Sequence, residues 1–492
     1  MASLDAIAAN STNNDGLKRR GAKLGGRIRR LRRQEGVSQA ALAGELGISA
    51  SYLNLIEHNR RNLTVPLLKK LAERFDLELS EIAESDEGRL SADLMEAFAD
   101  DLFGDIDLTN TDVRDLVTSN ATLARAMLAL YDRYRSMRED AAVTSARPAI
   151  AGGEAILSDR LSSEQVSDFL QARANHFAEL EEAAERVNHD SSLSGEDPFR
   201  AMATFLSNTF DVRVSDLPED DNQAVRRFDP DKGVLNLSKM LRADSRNFQA
   251  AHQIGLLAAE REINLLVDEG DFTDDDARRL ARIALANYFA GALLMPYDAF
   301  HKAARYYRYD VELLQRRFGV SFEQACHRLT TLQRPQRRGV PFHLLRSDIA
   351  GNISKRFSLS GIHIPRHGGT CPRWNVYSAF LQPGAIKVQI SQMPDGQTFF
   401  CIARTVLKNS SGFGEPRSFL SVGLGCEMSH AGELVYADSI NLERPERIVP
   451  IGVSCRTCPR MDCAQRAFPP VAHALETDEN TRGVSAYVSA RQ

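Results

Sequence analysis

The sequence lacks the features of a membrane or secreted protein. No apolar run approaches the roughly 20 residues that a membrane-spanning helix needs, and the opening MASLDAIAANSTNNDG has no apolar stretch of the kind found in signal peptides. A secreted disulfide framework is also disfavoured, because the seven cysteines are odd in number and three of them cluster near the C-terminus. These absences predict a protein of a reducing cytoplasm, with the clustered cysteines as a candidate metal or cluster site.

Charge is distributed unevenly along the chain. The 492 residues are 43% hydrophobic and 26% charged, which is ordinary for a globular protein but too long for a single core. The net charge of −5 argues against non-specific nucleic-acid binding, yet LKRRGAKLGGRIRRLRR (17–33) carries basic residues and no acid. This segregation is typical of a phosphate-facing arm, with a solvated basic tail as the alternative. We assign 1–22 to a disordered basic arm.

The segment that follows the arm predicts a DNA-binding head. Ser38 and Ser49 are placed to cap short helices on either side of Gly47, and short helix, Gly turn and capped short helix form the helix-turn-helix arrangement. Its third helix would enter the major groove with its N-terminal residues at base edges. The side chains expected to contact bases or phosphates are Gln39, Ser49, Ser51, Tyr52, Asn54, Arg60 and Arg61.

The run SQAALA…GIS…YLNLIEHNRR within this segment resembles the Xre family of bacterial regulators over nearly all of 23–80. The resemblance implies a five-helix domain over 23–82 and double-stranded operator DNA as the partner. Residues 84–140 show helical periodicity, and we interpret one of these helices as a homodimerisation element, since such proteins usually read paired half-sites. Packing against its own chain is an equal alternative. Residues 140–155, rich in Ala, Gly and Ser, predict a flexible joint.

A helical domain over 156–335 contains the run HQIGLLAAE (252–260). An H-E-x-x-H helix binds zinc through two His one turn apart and uses the Glu as general base. With a preceding hairpin, AVRRFDPDKGVLNLS, and a following run, ALANYFAGALLMPYDAF, the order resembles the ImmA/IrrE zinc peptidase-like family. His252 is kept, but Gln253, Leu256 and Leu285 replace the base and two ligands. Glu260 as a substitute ligand would still leave no base, so we predict an inactive scaffold without catalytic residues.

From about 340 the hydrophobic period changes to two. The runs KRFSLSGIHI, WNVYSAF, AIKVQISQM, TFFCIARTVL and SFLSVGLGCEM predict successive strands of an antiparallel sheet. We therefore expect a mainly α multidomain protein with a C-terminal α+β sensor domain over 340–475 and a tail over 476–492.

The cysteines near the C-terminus predict a metal centre. Cys455, Cys458 and Cys463 have C-x2-C-x4-C spacing, which lets neighbouring thiolates reach one ion or cluster. A fourth ligand would come from Cys371, Cys426 or His430. Zinc and an iron–sulfur cluster both suit the spacing, and plain reduced thiols are the alternative. Cys326 and Cys401 lie within helix and strand patterns and are expected to be buried.

The whole chain resembles the short-chain fatty acyl transcriptional regulators. The tail motifs GNISKRFS, CPRWNVYSAF, GLGCE, VYAD and CRTCPRMDCAQRAFPP carry this resemblance together with the two domains before them, over nearly all of 23–470. It implies a cytoplasmic regulator of propionyl-CoA or acetyl-CoA metabolism genes whose tail binds acyl-CoA or CoA. For some members it also implies a 4Fe–4S cluster, which would be held here by Cys455, Cys458 and Cys463, with Cys371 as the first choice for the fourth ligand and Cys426 as the second.

CoA carries phosphates, so its site needs cations. Within the tail the candidates are Arg346, Lys355, Arg356 and Arg366, although solvated surface charge explains them equally. An enzyme, either a metal-dependent peptidase acting on a repressor or a thioester hydrolase acting on acyl-CoA, is the alternative function. The peptidase fails on Gln253 and Leu256, and no G-x-S-x-G elbow supports the hydrolase.

Overall fold

The computed structural model divides the chain into two compact units. The first comprises Met1–Phe98 and Ile106–Leu130, and the second comprises Ala99–Asp105 and Tyr131–Gln492. The residues that it describes are 28, 32, 37–57, 61, 67, 70, 71, 74, 86–103, 109–131, 134, 153–191, 197–218, 224–365, 370–408, 417–442, 448–469, 483 and 485. The predicted arm at 1–22, Arg60, Arg366, most of the joint at 140–155 and nearly all of the tail at 476–492 lie outside the described residues.

The head of the first unit contains the expected pair of short helices. Helix α1 (Gln39–Leu46) is capped by Ser38, whose hydroxyl accepts the N–H of Ala41 at 3.1 Å, and it ends at Gly47, which has a φ of 71°. Helix α2 (Ala50–Glu57) follows directly. A small apolar core joins the two helices to neighbouring segments through Ile28, Leu42, Ala43, Leu46, Leu53, Ile56, Leu67 and Leu71. The helix-turn-helix geometry is therefore present as predicted.

The described residues of the first unit from 86 onward are mainly helical, as the periodicity predicted. They include α3 (Asp86–Phe98), α4 (Asn110–Ser119) and α5, which contains residues 121–131, of which Tyr131 is assigned to the second unit. Thr109 and Asp112 form a reciprocal capping box that fixes the start of α4. Helices α3 and α4 pack against each other.

The second unit begins with a helical layer around a three-stranded sheet. Its helices are α6 (Gly153–Ala172), α7 (Ala178–Ser191), α8 (Pro198–Phe210), α9 (Ala243–Ala258), α10 (Glu260–Asp268) and α11 (Asp275–Leu294). The sheet has the order β1 (Arg213–Asp216), β3 (Val234–Leu237), β2 (Arg226–Asp229). The predicted hairpin is confirmed as the antiparallel pair β2–β3, whereas the parallel pairing of β1 with β3 was not foreseen.

Three further helices lead into a six-stranded sheet within the same unit. The helices are α12 (Tyr297–Tyr306), α13 (Val311–Phe318) and α14 (Phe322–Thr330). The strands are β4 (His343–Ser347), β5 (Ile353–Ser358), β6 (Lys387–Gln392), β7 (Thr398–Leu407), β8 (Phe419–Glu427) and β9 (Ile448–Pro450), in the order β5-β4-β8-β7-β6-β9. All neighbours are antiparallel except β6 and β9, so the predicted antiparallel sheet is confirmed.

One predicted strand is wrong. The run WNVYSAF folds as the short helix α15 (Asn375–Ser378) followed by a 3-10 turn, Ala379–Leu381. The amide of Asn375 donates to the carbonyls of Lys387 and Cys401, and Val376 fits over Gly423 of β8, where a Cβ would lie 2.5 Å from Val376 Cγ1. The apolar residues of this run therefore face the sheet from one side of a helical turn.

Candidate functional site

Some of the predicted DNA-contacting side chains are exposed on the head, and others form hydrogen bonds within it. Ser51 and Asn54 are exposed on α2, and Tyr52 is half-buried. Ser49 is exposed and caps α2, since its hydroxyl accepts the N–H of Tyr52 at 3.1 Å. Arg61 is exposed beyond α2.

Gln39 has an internal partner that the sequence did not reveal. Its amide donates to Glu57 at 2.9 Å, and the same carboxylate receives Arg32 in a two-point contact at 2.6 and 3.0 Å. Glu57 is almost fully buried. This network fixes the start of α1 to the end of α2, so Gln39 has a structural role whether or not it also reaches DNA.

The degenerate zinc centre is a closed part of the core. His252 and Gln253 on α9 are 3% and 2% exposed, and Leu285 on α11 is fully buried where the resemblance places an acidic ligand. The side chain of Phe289 on α11 packs so closely against α9 that a Cβ at Gly255 would lie 2.7 Å from Phe289 Cδ1. These residues fill the position of a metal with apolar packing.

A guanidinium from the neighbouring sheet lies beside the same residues. Arg226 on β2 donates to Gln253 Oε1 at 3.3 Å. Burial and, to a smaller extent, Arg226 lower the pKa of His252 to about 3, although a hydrogen bond with Asn287 opposes the shift. His252 is thus a neutral imidazole next to a fixed cation, an arrangement that repels a second positive ion. Glu260, the substitute ligand considered above, is exposed and lies 4.0 Å from Arg282.

A buried Cys–His pair exists in the sheet, but its electrostatics do not suit a nucleophile. Cys401 Sγ lies 3.6 Å from His343 Nε2, and His343 Nδ1 lies 2.7 Å from Ser360 Oγ. Burial raises the pKa of Cys401 to about 12 and lowers the pKa of His343 to about 3. An activated cysteine needs a depressed pKa and access to substrate, so this pair behaves as core, as expected for Cys401.

A large cavity lies between the helical layer and the six-stranded sheet. Its volume is about 1630 Å³, larger than the roughly 300–1,000 Å³ of typical small-molecule pockets. Helices α6, α9, α11 and α14 form one side, and β4, β5, β7 and β8 form the other. Three of the four cations predicted to bind CoA, Arg346, Lys355 and Arg356, line it.

The sheet side of the cavity carries a row of cations. Arg346 on β4 is in register with Lys355 on β5 and with Val422 on β8, and Val422 is in register with Arg404 on β7. Residues paired directly across a sheet share a face, so Lys355, Arg346 and Arg404 form a cationic row on the cavity wall. Neighbouring like charges destabilise a sheet, and therefore this row requires negative charge opposite it.

Carboxylates from adjacent helices supply part of that charge. Glu323 Oε1 on α14 accepts from Arg346 Nη1 at 2.5 Å and from Lys355 Nζ at 3.1 Å, and Glu312 on α13 accepts from Arg404 at 3.0 Å. Burial opposes ionisation of Glu323, but Lys355 and Arg346 prevail and lower its pKa to about 2. Glu323 is therefore an anion throughout the physiological range.

A further lysine adds positive charge to the cavity wall. Lys408, just beyond β7, also lines the cavity, and desolvation together with Arg346 and Lys355 lowers its pKa. Neither Arg404 nor Lys408 was predicted, because only the strand register brings them beside Arg346.

The helical side of the cavity carries both apolar and charged side chains. Its apolar lining residues include Val166, Leu170, Phe248 and Ala284, and its charged ones include Glu164, Asp244, Glu323 and Arg328. Arg356 lies near this side, since one of its nitrogens is 3.9 Å from Glu164 on α6, and it also donates to the carbonyl of Pro365 at 3.2 Å. Helix α6 is fastened to the sheet edge by Gln171, whose amide bonds both backbone groups of Ser358. The cavity thus combines a cationic row on the sheet with apolar groups among the helices.

The structure brings Cys371 to the cysteine loop and leaves Cys426 elsewhere. The N–H of Cys371 donates to the carbonyl of Val453 at 3.0 Å, and burial raises the pKa of Cys371, a shift to which Cys455 and Cys458 add and which N–H bonds from Arg373 and Gly452 oppose. Cys426 is buried in a different core cluster. Gly452 permits the approach, because a Cβ there would lie 2.9 Å from Cys458 Sγ.

A buried arginine organises the same loop. Arg466 is 6% exposed, and its guanidinium donates to the carbonyls of Cys455 and Cys458, both at 2.7 Å, and to that of Arg460 at 2.5 Å. Cys463 lies between these residues in the chain and is half-exposed. Soft thiolates are ligands that zinc and iron–sulfur clusters prefer, but among the described residues no three of these sulfurs lie within 4.8 Å of one another, so the metal centre stays a prediction.

The class of protein is that of a multidomain transcriptional regulator. It combines a helix-turn-helix head, a peptidase scaffold without its metal residues and a sheet that lines a cavity with cations. Residues 28–82 match the family described as "Helix-turn-helix", residues 208–330 match "IrrE N-terminal-like domain", and residues 331–487 match "Short-chain fatty acyl coenzyme A regulator, C-terminal". The bounds that we predicted for the domains remain predictions.

Similar proteins match this sequence along nearly the whole chain. The HTH-type transcriptional regulators PrpR and RamB of Mycobacterium tuberculosis are each 40% identical, over 95% and 94% of this chain and 96% and 98% of theirs. A "Propionyl-CoA carboxylase regulator" of Cereibacter sphaeroides is 39% identical over 94% of this chain and 98% of its own. A solved structure titled "Mycobacterium tuberculosis transcriptional regulator" is 43% identical, with a TM-score of 0.64, and covers 66% of this chain and 99% of that one. The chain belongs to the short-chain fatty acyl coenzyme A regulator family.

Proposed function

We propose that this protein regulates transcription of short-chain acyl-CoA metabolism genes and that propionyl-CoA or acetyl-CoA, bound in the cavity, controls its affinity for operator DNA. The observation that carries the proposal is the cationic row on one wall of a cavity whose helical side also offers apolar side chains. CoA thioesters have the matching polarity, with phosphates at one end and a short acyl chain at the other. A relative named propionyl-CoA carboxylase regulator supports the same ligand class, and so does the match to the short-chain fatty acyl coenzyme A regulator family.

The ligand would lie with its phosphates toward the sheet. Arg346, Lys355 and Lys408 would receive the phosphates, because these cations surround one position on the cavity wall. The acyl end would lie toward α6 and α11, among apolar side chains such as Val166 and Leu170. A ligand changes a conformational equilibrium only if it binds the two states unequally, and a molecule touching both walls of the cavity meets this condition when the walls move relative to each other.

The DNA partner would be read by α2. Ser51 and Asn54 are accessible there, with Ser49, Tyr52, Gln39, Arg60 and Arg61 as the further predicted contacts. We propose a homodimer, as paired half-sites require. Helix α5 supports it, since Leu123 and Leu130 are 49% and 71% exposed and lie seven residues apart, on one face of the helix. Action on DNA supports a cytoplasmic location in this proposal, as do the number and clustering of the seven cysteines.

The cysteine centre would hold a 4Fe–4S cluster, with zinc as the alternative occupant. Cys371, Cys455, Cys458 and Cys463 would be its ligands. A bound cluster would supply a redox-sensitive cross-link between the segment at Cys371 and the loop at 455–463. Cys371 contributes its backbone contact with Val453 as a fixed anchor, and Arg466 holds the loop in shape through its carbonyl contacts.

An enzymatic role is disfavoured in this proposal. Peptidase chemistry lacks a base at Gln253, and Arg226 places a cation beside it. Thioester hydrolysis through Cys401 would need a thiolate, whereas burial keeps the sulfur protonated.

Calorimetric titration of anaerobically purified protein tests the sensor directly. CoA, acetyl-CoA and propionyl-CoA are titrated in turn, with product analysis by chromatography after each run. We expect saturation near one ligand per subunit, a preference among the three compounds, and no turnover. Absence of saturable binding by any of them would refute the sensor, and progressive loss of acyl-CoA would favour the hydrolase.

The DNA-binding half is tested with a duplex selected from a random pool by the full-length protein. Asn54→Ala should weaken binding by about 1–3 kcal/mol, as loss of one base contact does, while leaving acyl-CoA binding unchanged. An unaltered affinity for the duplex would remove Asn54 from the interface. Adding the preferred acyl-CoA to the wild-type complex should then shift the affinity, which connects the two halves of the proposal.

A further inference from the structure

We infer that Glu323 is an internal anion that occupies the phosphate position of the cavity until the ligand arrives, and that it thereby sets the affinity and selectivity of the site. The inference rests on the proposed function, because it assumes a phosphate-bearing ligand. It goes beyond that function because it assigns to Glu323, on the cavity wall, a role that opposes ligand binding.

The geometry of Glu323 resembles that of a bound phosphate oxygen. A single carboxylate oxygen, Oε1, accepts from both Arg346 and Lys355, at 2.5 and 3.1 Å. These two cations face each other in register across β4 and β5, so the carboxylate bridges a like-charged pair. An isolated pair of this kind would be destabilising, and the carboxylate of Glu323 offsets this repulsion.

The position of Glu323 makes this bridge displaceable. The residue lies in the first turn of α14, after the cap at Ser321, and its side chain is 20% exposed while lining the cavity. Its partner Lys355 is 40% exposed. Both groups can therefore exchange the internal contact for contacts with an incoming phosphate. An anion bound beside a retained carboxylate would instead be repelled.

Displacement would free one end of α14 and leave the other end anchored. Arg328, five residues further along this helix, binds Glu181 on α7 through two nitrogens at 2.6 and 2.8 Å. Helix α14 is thus anchored to the sheet by Glu323 and to the helical layer by Arg328. Release of the first anchor by phosphate frees the N-terminal turn and leaves the second intact, which gives the ligand a defined element to move.

The test compares Glu323→Gln with wild type in calorimetric titrations of CoA, 3′,5′-ADP and pantetheine. Glutamine keeps the size and removes the charge, so the two phosphate-bearing compounds should bind about tenfold more tightly, a modest estimate for one unit charge removed at a few ångströms in a partly solvated site. Pantetheine, which has no phosphate, should bind with unchanged affinity. Glu185→Gln is the matched control, since Glu185 is also ion-paired, at 3.0 Å from Arg334, but lies outside the cavity lining.

A second variant tests whether Glu323 acts through its partners. In a Lys355→Gln background, the gain from Glu323→Gln should shrink by at least half, because one of the two cations that Glu323 masks is gone. Circular dichroism and thermal unfolding of each variant establish that the fold is retained, and the double-variant cycle provides the answer if Glu323→Gln alone loses stability.

The possible outcomes distinguish a failure of this inference from a failure of the proposed function. Unchanged or weaker CoA binding by Glu323→Gln, with normal binding by wild type, overturns the inference and leaves the sensor standing, since Glu323 would then be neutral toward the ligand or would accept a hydrogen bond from it. An equal gain for pantetheine also overturns it. If neither wild type nor variant binds CoA or 3′,5′-ADP, the proposed function itself fails.

Discussion

Buried cations in the helical part of the second unit and cations on its sheet are neutralised in different ways. Arg328 is fully enclosed and bonds Glu181, a carboxylate that is 1% exposed and also accepts from Tyr288 at 2.6 Å. The cationic row faces a cavity and is opposed by Glu323 and Glu312, which are 20% and 48% exposed. A charge with a permanent buried partner is part of the framework. A charge with a movable partner at a cavity wall marks a place where a ligand acts.

The largest effect expected from this contrast follows from breaking the buried pair. Burial opposes the ionised form of Glu181, but Arg328 and Tyr288 outweigh it and lower its pKa. Glu181→Gln would leave the guanidinium of Arg328 enclosed without a counter-charge, and we expect a loss of about 3–5 kcal/mol in the free energy of unfolding. Chemical denaturation measures it.

Glu185→Gln is the matched control, because Glu185 lies on the same helix and pairs with Arg334 at the surface. We expect a loss of less than about 1 kcal/mol for that exposed pair. Similar losses for both variants would show that the enclosed pair has no special structural weight.

Removal of a cavity cation should act on the ligand rather than on the fold. Arg346 is 11% exposed at the centre of the cationic row, and loss of one charge-assisted contact is worth about 2 kcal/mol, or roughly thirtyfold in affinity. Arg346→Gln should therefore weaken acyl-CoA binding by about that factor in calorimetry. Arg337→Gln, which removes an exposed cation paired with Asp298 away from the cavity, should bind normally. A normal affinity for Arg346→Gln would mean that the phosphates lie elsewhere.

A smaller effect should appear in the pH dependence of stability. The pKa of Glu323 is about 2 in the folded protein, below the roughly 4.3 of an unfolded glutamate. A depressed folded pKa means that the stabilisation is fully present above the unfolded value and is lost as pH falls from about 5 toward 2. The difference in unfolding free energy between wild type and Glu323→Gln should accordingly be constant near neutral pH and shrink below pH 5. A difference that is independent of pH down to 3 would contradict the ion-pair assignment.

The sequence predicted the parts of this picture that depend on local pattern. Strands β7 and β8 are long β-prone runs of 10 and 9 residues that are buried along most of their length, and Ser38, Gly47 and Ser49 mark the helix boundaries in the head. The short strand β9 has three residues, too few for a periodic signal. WNVYSAF has apolar residues at a spacing that suits a strand and also a helical turn against a sheet, and only tertiary packing at Gly423 selects the helix.

The sequence predicted three of the cations that line the cavity, but not the other charged residues beside them. Arg346, Lys355 and Arg356 were proposed because phosphates need cations. The last two also lie within the family-like run GNISKRFS. Arg404 and Lys408 belong to a strand that lies two positions away in the sheet from Arg346, and strand order is not written in any local pattern. Glu323 is further removed, since its partner lies 32 residues later in the chain. Charge balance in a site is a property of the assembled fold.

The smallest effect is expected from rebuilding the degenerate zinc centre. Gln253→Glu combined with Leu256→His restores the H-E-x-x-H pattern on α9, but Leu285 still provides no third ligand, and Arg226 would form an ion pair with the introduced carboxylate. We expect no stoichiometric zinc after dialysis, no zinc-dependent cleavage of an unfolded protein substrate, and acyl-CoA affinity within about twofold of wild type, because His252 and Gln253 do not line the cavity. Atomic absorption, a protease assay and calorimetry give the three values. Bound zinc with cleavage would show that the scaffold is two substitutions from activity and that Arg226, which bonds only the neutral amide of Gln253 in the wild type, yields its position to a metal.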